Sequence, residues 1–209
     1  MYAVSKSLGS RHNGPRHAAK PGYDPQTRDK MNAMTKVLSF PARGNHIFYA
    51  EESDLHLLPI LRSAWMLLGK QMRVPTPGTN QKKSIFGAMG IRTGEFLHLM
   101  FDRKRATEFI DFLEYIIAHY PTGKIHTILD NFSVHKAQSV QARLANNPRV
   151  KLYFLPSCMP QLNPIEKVWQ HMKAYVTANR LYGSMAALVD AVNAFFEQLT
   201  PSMVQTLAA

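Results

Sequence analysis

Three acidic features in this sequence stand where they could hold a hard cation. Asp130 follows the apolar run His126-Thr-Ile-Leu129, at the carboxyl end of what reads as a central strand. Glu166 sits in Asn163-Pro164-Ile165-Glu166, in the first turn of an apolar-periodic segment. Glu51, Glu52 and Asp54 cluster after the alternating run that begins at Ile47. Divalent cations such as Mg²⁺ take oxygen ligands, and two-metal phosphoryl transfer draws carboxylates from separate elements onto one spot. In a chain of formal net charge +11, carboxylates held together at strand ends are costly unless a cation neutralises them. Each feature also has a plainer reading. Asp130-Asn131 is a common turn pair. Asn163 to Glu166 fits a capping box, with the glutamate reaching back to the cap. An acidic trio can be a solvated turn. On spacing alone these readings stay open, although Glu166 borders the apolar side of its helix and so faces the sheet margin, where it can meet Asp130.

The elements that must position these residues follow from periodicity. Residues 1–23 read as a basic tail, with Lys6, Arg11, Arg16 and Lys20 among Ser, Gly, Asn and Pro and no acidic residue before Asp24. Asp24-Pro25 opens a helix to about Leu38, and a linker to residue 44 follows. Ile47, Tyr49 and Glu51 alternate with Phe48, Ala50 and Glu52, the period of a strand that runs out into the acidic cluster. Lys83–Met89 and Glu95–Phe101 form a hairpin across Gly90–Gly94. Three strands in succession with short links imply an antiparallel unit.

Lys104–His119 is an amphipathic helix, with Phe109, Phe112, Leu113, Ile116 and Ile117 on one stripe. Ile125–Asp130, Lys136–Asn146 and Val150–Leu155 give strand, helix, strand, the pattern of a parallel pair joined by a right-handed crossover. Helices over Asn163 to about Ala178 and Ser184–Leu199 follow. Pro201 closes the last one, leaving 201–209 as a tail. Residues 45–200 are thus expected to be one α/β domain, a mixed sheet with helices on both faces. Trp65 and Trp169 read as packing residues. His135 could contact a phosphate or orient a ligand, or be an ordinary surface residue at a helix start.

Composition narrows the partners. A length of 209 residues with 45% hydrophobic residues suits a domain with a real core. The basic balance, with a pI near 9.9, favours a polyanion such as nucleic acid. No run approaches the roughly 18 apolar residues of a spanning helix, and the N-terminus lacks the apolar core of a secretory signal. One cysteine, Cys158, excludes an internal disulfide and fits a reducing cytoplasm. Nine histidines without Cys-x-x-Cys or His-Glu-x-x-His spacing make no zinc site.

With these blocks in place the sequence resembles the catalytic domain of DDE-type transposases, specifically the bacterial insertion-sequence "six-thirty" family related to mariner. The matching stretches are IFYAEESDLHL, W-M-L-x-G-K-Q-x-R-V-x-T-P-G at 65–78, IFGAMGIRTGEFL, ILDNFSVHKA and YFLPSCMPQLNPIEKVWQHMK. The last two are the specific ones, since D-N-x-x-x-H and L-P-x-x-x-P-x-L-N-P-I-E-x-x-W occur together and in order. The resemblance spans roughly residues 15–199.

It implies an RNase H-like fold whose carboxylate triad, here Glu51, Asp130 and Glu166, holds two Mg²⁺ ions, with Mn²⁺ as a substitute. It implies cleavage of DNA and attack of the freed 3′-OH on target DNA. Glu52, Asn131, His135 and Asn163 would lie beside the site. It further implies transposon ends and target DNA as partners, a homo-oligomer on DNA, and a cytoplasmic, nucleoid-associated location. Two departures stand out. The family's first triad member is an Asp, and here Glu51 occupies that position. Family members also begin with helix-turn-helix modules, which nothing before residue 24 could form. The chain is therefore expected to be a catalytic-domain remnant or one product of a split reading frame that a separate helix-turn-helix chain could serve. The alternative is a DNA-binding relic or accessory protein whose metal chemistry Glu51 has impaired.

Overall fold

The computed structural model describes residues 26–39, 43–157, 159 and 162–208. The basic tail, the Asp24-Pro25 helix start and Cys158 lie outside the described residues. Helix α1 (Thr27–Ser39) precedes β1 (His46–His56), β2 (Lys82–Gly90) and β3 (Phe96–Phe101). Helix α2 (Ala106–His119) leads to β4 (Ile125–Leu129), a 3₁₀ turn at Ser133–Lys136, α3 (Gln138–Ala145) and β5 (Val150–Phe154). Helices α4 (Ile165–Met172), α5 (Met185–Glu197) and α6 (Pro201–Ala208) complete the chain.

The strands form one five-stranded sheet in the order β3-β2-β1-β4-β5. β1 is antiparallel to β2 and parallel to β4, and β4 is parallel to β5. The mixed sheet and its strand-helix-strand crossover thus match the sequence expectation. β1 lies at the centre and is covered on both faces, which is why its apolar positions do not simply alternate with polar ones. Phe48 and Ala50 pack with Phe109, Phe112, Leu113 and Ile116 of α2. Ile47, Tyr49 and Leu55 point the other way, into a core shared with Ile165, Val168, Trp169 and Met172 of α4.

Three expectations are corrected. The link from β1 to β2 is not short: residues 57–81 leave the sheet, and only their root is fastened. Ile60 bridges to Ala178, and the Asn179 side chain bonds both ways with the Arg62 backbone, Nδ2 to the carbonyl and Oδ1 from the amide, each at 2.8 Å. Beyond that root Trp65 is wholly exposed at 104%, so it is not a packing residue, whereas Trp169 is buried at 2%. The isolated Trp65 finds no apolar partner because its neighbours on the excursion never return to the core.

Next, the helix expected over residues 163–178 starts only at Ile165 and continues past Met172 as a π-helical turn at Lys173–Thr177, ending before Asn179 at φ 53°. Last, residues 201–208 of the expected tail at 201–209 are a docked helix. Pro201 begins α6, a position where its missing N–H costs nothing. The Met203 amide bonds to Thr200 Oγ1 at 3.3 Å, and Val204 is fully buried. Gly94 (φ +68°) makes this docking possible, because a Cβ there would lie 2.3 Å from the Pro201 carbonyl oxygen. No helix among the described residues is long and apolar enough to cross a membrane.

Candidate active site

Register brings the first two carboxylates together. Tyr49 pairs with Ile128 and Ala50 with Leu129, so the next step along the parallel ladder sets Glu51 beside Asp130. Tyr49 and Ile128 share the α4-facing core, and side chains two residues on return to the same face. Glu51 is therefore not at the end of its strand, as the sequence suggested. β1 continues to His56, and Glu51 stands where its neighbour β4 stops. This break at the carboxyl end of a parallel pair is where open α/β sheets collect ligands.

Helix α4 covers that face and brings Glu166 in its first turn. Glu51, Asp130 and Glu166 all line one cavity of about 380 Å³, with Asn131, Ser157 and Asn163 also on its wall. Burial, followed by the charge of Glu166 and a hydrogen bond with it, pushes the Glu51 carboxyl up to about 9; Asp130 and Glu52 add to the rise. Glu51 Oε2 is buried without a hydrogen-bond partner. Acids crowded this closely must keep a proton or share a cation. An all-oxygen donor set with an orphaned carboxylate oxygen fits a hard divalent ion.

The plainer readings divide. Asp130 does make its turn: Phe132 N–H donates to Oδ1 at 3.1 Å, which fixes the carboxyl while leaving Oδ2 for the cavity. The capping box does not form. Helix α4 has no side-chain cap; the Glu166 amide bonds instead to the Asn163 backbone carbonyl at 3.2 Å. That frees Glu166 for the cavity.

The remaining candidates separate as well. Glu52 points to the opposite face, where its Oε1 meets His135 Nε2 at 2.8 Å. His135 is not a surface residue: it is fully buried in the 3₁₀ turn, against the Phe109 ring at 4.4 Å. Its Nδ1 stands 3.4 Å from Asp130 Oδ1, too loose to count as a hydrogen bond. Glu52, Asp130 and His135 could hold a metal ion by distance alone, their ligand atoms lying within 4.8 Å of one another. With His135 buried and bonded to Glu52, the trio serves better as a brace behind Asp130. Asn131 donates to Ser157 Oγ at 3.0 Å, tying the ends of β4 and β5. Asp54 leaves the site altogether: burial would raise its carboxyl, but Lys104 at 3.1 Å and Ser84 at 3.2 Å hold it below the usual range.

Sequence reasoning missed two contributors. Gly87, opposite Glu51 on β2, has room for no side chain, since a Cβ would lie 2.6 Å from Trp169 Cη2. Lys173 lies close enough that burial pushes its ammonium down while the charges of Glu166, Asp54 and Glu51 pull it back. A glycine in a strand signals close approach in general, but nothing in the sequence names its neighbour.

Comparison with known proteins shows the family and the fold. Residues 46–189 match the family model described as DDE superfamily endonuclease. Over 179 residues the chain is 34% identical to the insertion element IS630 uncharacterized 39 kDa protein of Shigella sonnei, covering 85% of this chain and 52% of that protein. The chain thus spans about half the length of this curated relative. In solved structures the fold is similar to the Mos1 transposase paired-end complex with left transposon end, at TM-score 0.72 and 12% identity over 99% of this chain and 66% of that one. It is similar to the Mos1 mariner paired-end complex with Mn, at TM-score 0.73 and 12% identity over 99% and 66%. The Mos1 catalytic domain alone aligns at TM-score 0.62 and 10% identity over 93% of this chain and 90% of that domain. These likenesses show an RNase H-like fold. On the family match and on the identity to the IS630 protein, this chain belongs to the DDE superfamily endonucleases.

Proposed function

We propose that this chain is the catalytic domain of an insertion-sequence transposase that cleaves DNA and joins the freed 3′ end to a target. The observation that carries the reading is the meeting of Glu51, Asp130 and Glu166 in one cavity at the break between β1 and β4. These three would hold divalent cations, Mg²⁺ or Mn²⁺, which when bound supply charge for activating a water and stabilising the leaving 3′ oxygen.

The chain's own residues do the rest. Glu51 gives up its proton as the cavity is neutralised. The Phe132 amide keeps Asp130 aimed at the cavity, and α4 holds Glu166 against the sheet. The basic surface attracts the DNA backbone in a salt-dependent way. The Mos1 complexes with Mn and with Mg support the choice of ions by analogy. Such a protein would act on DNA in the cytoplasm, as an oligomer bridging transposon ends, with end recognition supplied by a helix-turn-helix module on the same or another chain. The impaired-relic reading is weakened by the placement of Glu51, because its longer side chain still lines the same cavity as Asp130 and Glu166.

The test is nicking of supercoiled plasmid with Mg²⁺ or Mn²⁺. Asp130→Ala and Glu166→Ala should each abolish it, and nicking that survives both would sink the assignment. Glu51→Asp separates the relic: activity that appears only in this variant identifies the natural chain as impaired.

A further inference from the structure

Asn163 is a polar side chain with nothing to do in the protein alone. It is 3% exposed, lines the carboxylate cavity, and neither its Oδ1 nor its Nδ2 has a hydrogen-bond partner. Its natural duty at a helix start is to cap, yet α4 has no side-chain cap, and only the Asn163 backbone carbonyl serves the helix. A buried amide left unbonded at both atoms is costly, and native structures keep such groups where a ligand completes them.

The chemistry of the cavity wall says what that ligand lacks elsewhere. Glu51, Asp130 and Glu166, once ionised, only accept hydrogen bonds. Leu155, Pro156 and Met159 offer apolar side chains. Asn131 has one of its two amide N–H donors tied to Ser157. Among the described residues of this wall, Asn163 brings an amide N–H₂ that is not already engaged. A phosphodiester laid across the carboxylates presents non-bridging oxygens that need donors, and neutral amides are regular phosphate contacts.

We propose that Asn163 is a DNA-contacting residue whose Nδ2 donates to a non-bridging oxygen of the DNA phosphate lying over the carboxylates. The proposal rests on the active-site reading above. It makes Asn163 a substrate contact, where capping would make it a structural residue.

The two roles diverge under substitution, because Ser, Asp and Asn cap helices almost equally well while only Asn carries the amide donor at that reach. The experiment uses the full chain and a fluorescein-labelled 20-base-pair duplex in Ca²⁺, read by anisotropy, with thermal melting and Mn²⁺-dependent plasmid nicking in parallel. Asn163→Ser should melt as the natural chain does, whereas Asn163→Asp adds a fourth carboxylate to the cavity and should melt lower. Both should bind the duplex roughly tenfold more weakly or worse, the Asp variant the weaker because its charge repels phosphate. Since a neutral donor is lost from Asn163→Ser, the salt dependence of its binding should keep the natural slope. Duplex affinity and nicking at natural levels in either variant would overturn the proposal. So would a fall in melting temperature of Asn163→Ser that accounts for its weaker binding. Asp130→Ala, run beside them, keeps the two readings apart: if it still nicks, the carboxylate assignment fails, while duplex affinity still reports on Asn163.

Discussion

Gly87→Ala is a one-methyl perturbation across the ladder from Glu51, and it should damage the site through the helix that carries Glu166. The new Cβ would stand 2.6 Å from Trp169 Cη2 and 2.7 Å from Cζ2, with Phe96 Cζ at 3.0 Å on its other flank. Carbon atoms in contact sit about 3.5–4.0 Å apart, so the indole must retreat by about 1 Å. Trp169 is fully enclosed by the α4 core and by the rings of Phe96 and Phe196, so it has no vacant space to enter. The helix must shift instead, and Glu166 lies one turn before Trp169 on that helix. Overpacking of this kind costs about 1–3 kcal/mol, or roughly 2–12 °C in Tm for a chain of this size. A displacement of about 1 Å at a reacting centre lowers the rate on the order of a hundredfold. Plasmid nicking and thermal melting measure both. The clash is identified by a double-mutant cycle, because Trp169→Phe removes the outer edge of the benzo ring that the methyl meets. The pair should recover at least half of the stability lost in Gly87→Ala, a coupling of about 1 kcal/mol. Gly87→Ala that melts and nicks like the natural chain refutes the reasoning. A defect that Trp169→Phe does not relieve shows the clash is not its cause.

The proton on Glu51 makes the metal-free protein pH-sensitive. Its folded pKa of about 9 lies above the ordinary carboxylate value, so its stabilising effect is complete below about pH 4.5 and is lost as pH rises through about 9. Melting in EDTA should therefore fall between pH 5 and 9, Glu51→Gln should flatten the fall, and Mg²⁺ or Mn²⁺ should raise Tm more at pH 8 than at pH 5; equal melting at both pH values in EDTA contradicts this. His135→Ala leaves Glu52 buried without its partner and should cost about 3–5 kcal/mol in urea unfolding, whereas a loss below about 1 kcal/mol would show that Glu52 is not held by it. Asn179→Ala removes both bonds to the Arg62 backbone and should speed protease cleavage within residues 57–81, with the melt lowered by about 2 kcal/mol or less; unchanged cleavage would mean that Asn179 is not the fastening.

The residues that were legible in advance are those whose signal is local. The alternation around Ile47, the stripe from Phe109 to Ile117 and the turn at Gly90–Gly94 declare their elements through nearest neighbours, and the mixed sheet follows from their order. Asp130 and Glu166 were legible as candidates because each ends or begins an element. Whether they meet depends on register, and the pairing of Ala50 with Leu129 is a contact between residues far apart in sequence. The same limit explains the misses. Pro201 signals a boundary, but starting and stopping a helix look alike until Gly94 is seen to admit its carbonyl. Asn163-Pro-Ile-Glu166 carries the letters of a capping box, and the cavity alone shows that the letters are not used that way. Trp65 has the chemistry of a core residue on a segment that does not reach the core. His135 looks like a surface residue until Phe109 and Glu52 close over it.

The central place of β1 in the sheet also sets a timetable for synthesis. The ribosome makes β1, β2 and β3 in one stretch, and this antiparallel meander can pair as soon as Phe101 has emerged. Until Ile125–Leu129 follows, the other edge of β1 stays open, with backbone groups that a neighbouring nascent chain could pair with. At about 5–20 residues per second that interval lasts a few seconds, and α2, which emerges first, can shelter Phe48 and Ala50 but not the edge itself. Glu166 arrives later still. A ribosome-bound chain therefore carries Glu51 and then Asp130 without their third companion, and the carboxylate cavity is incomplete until α4 folds back across the sheet.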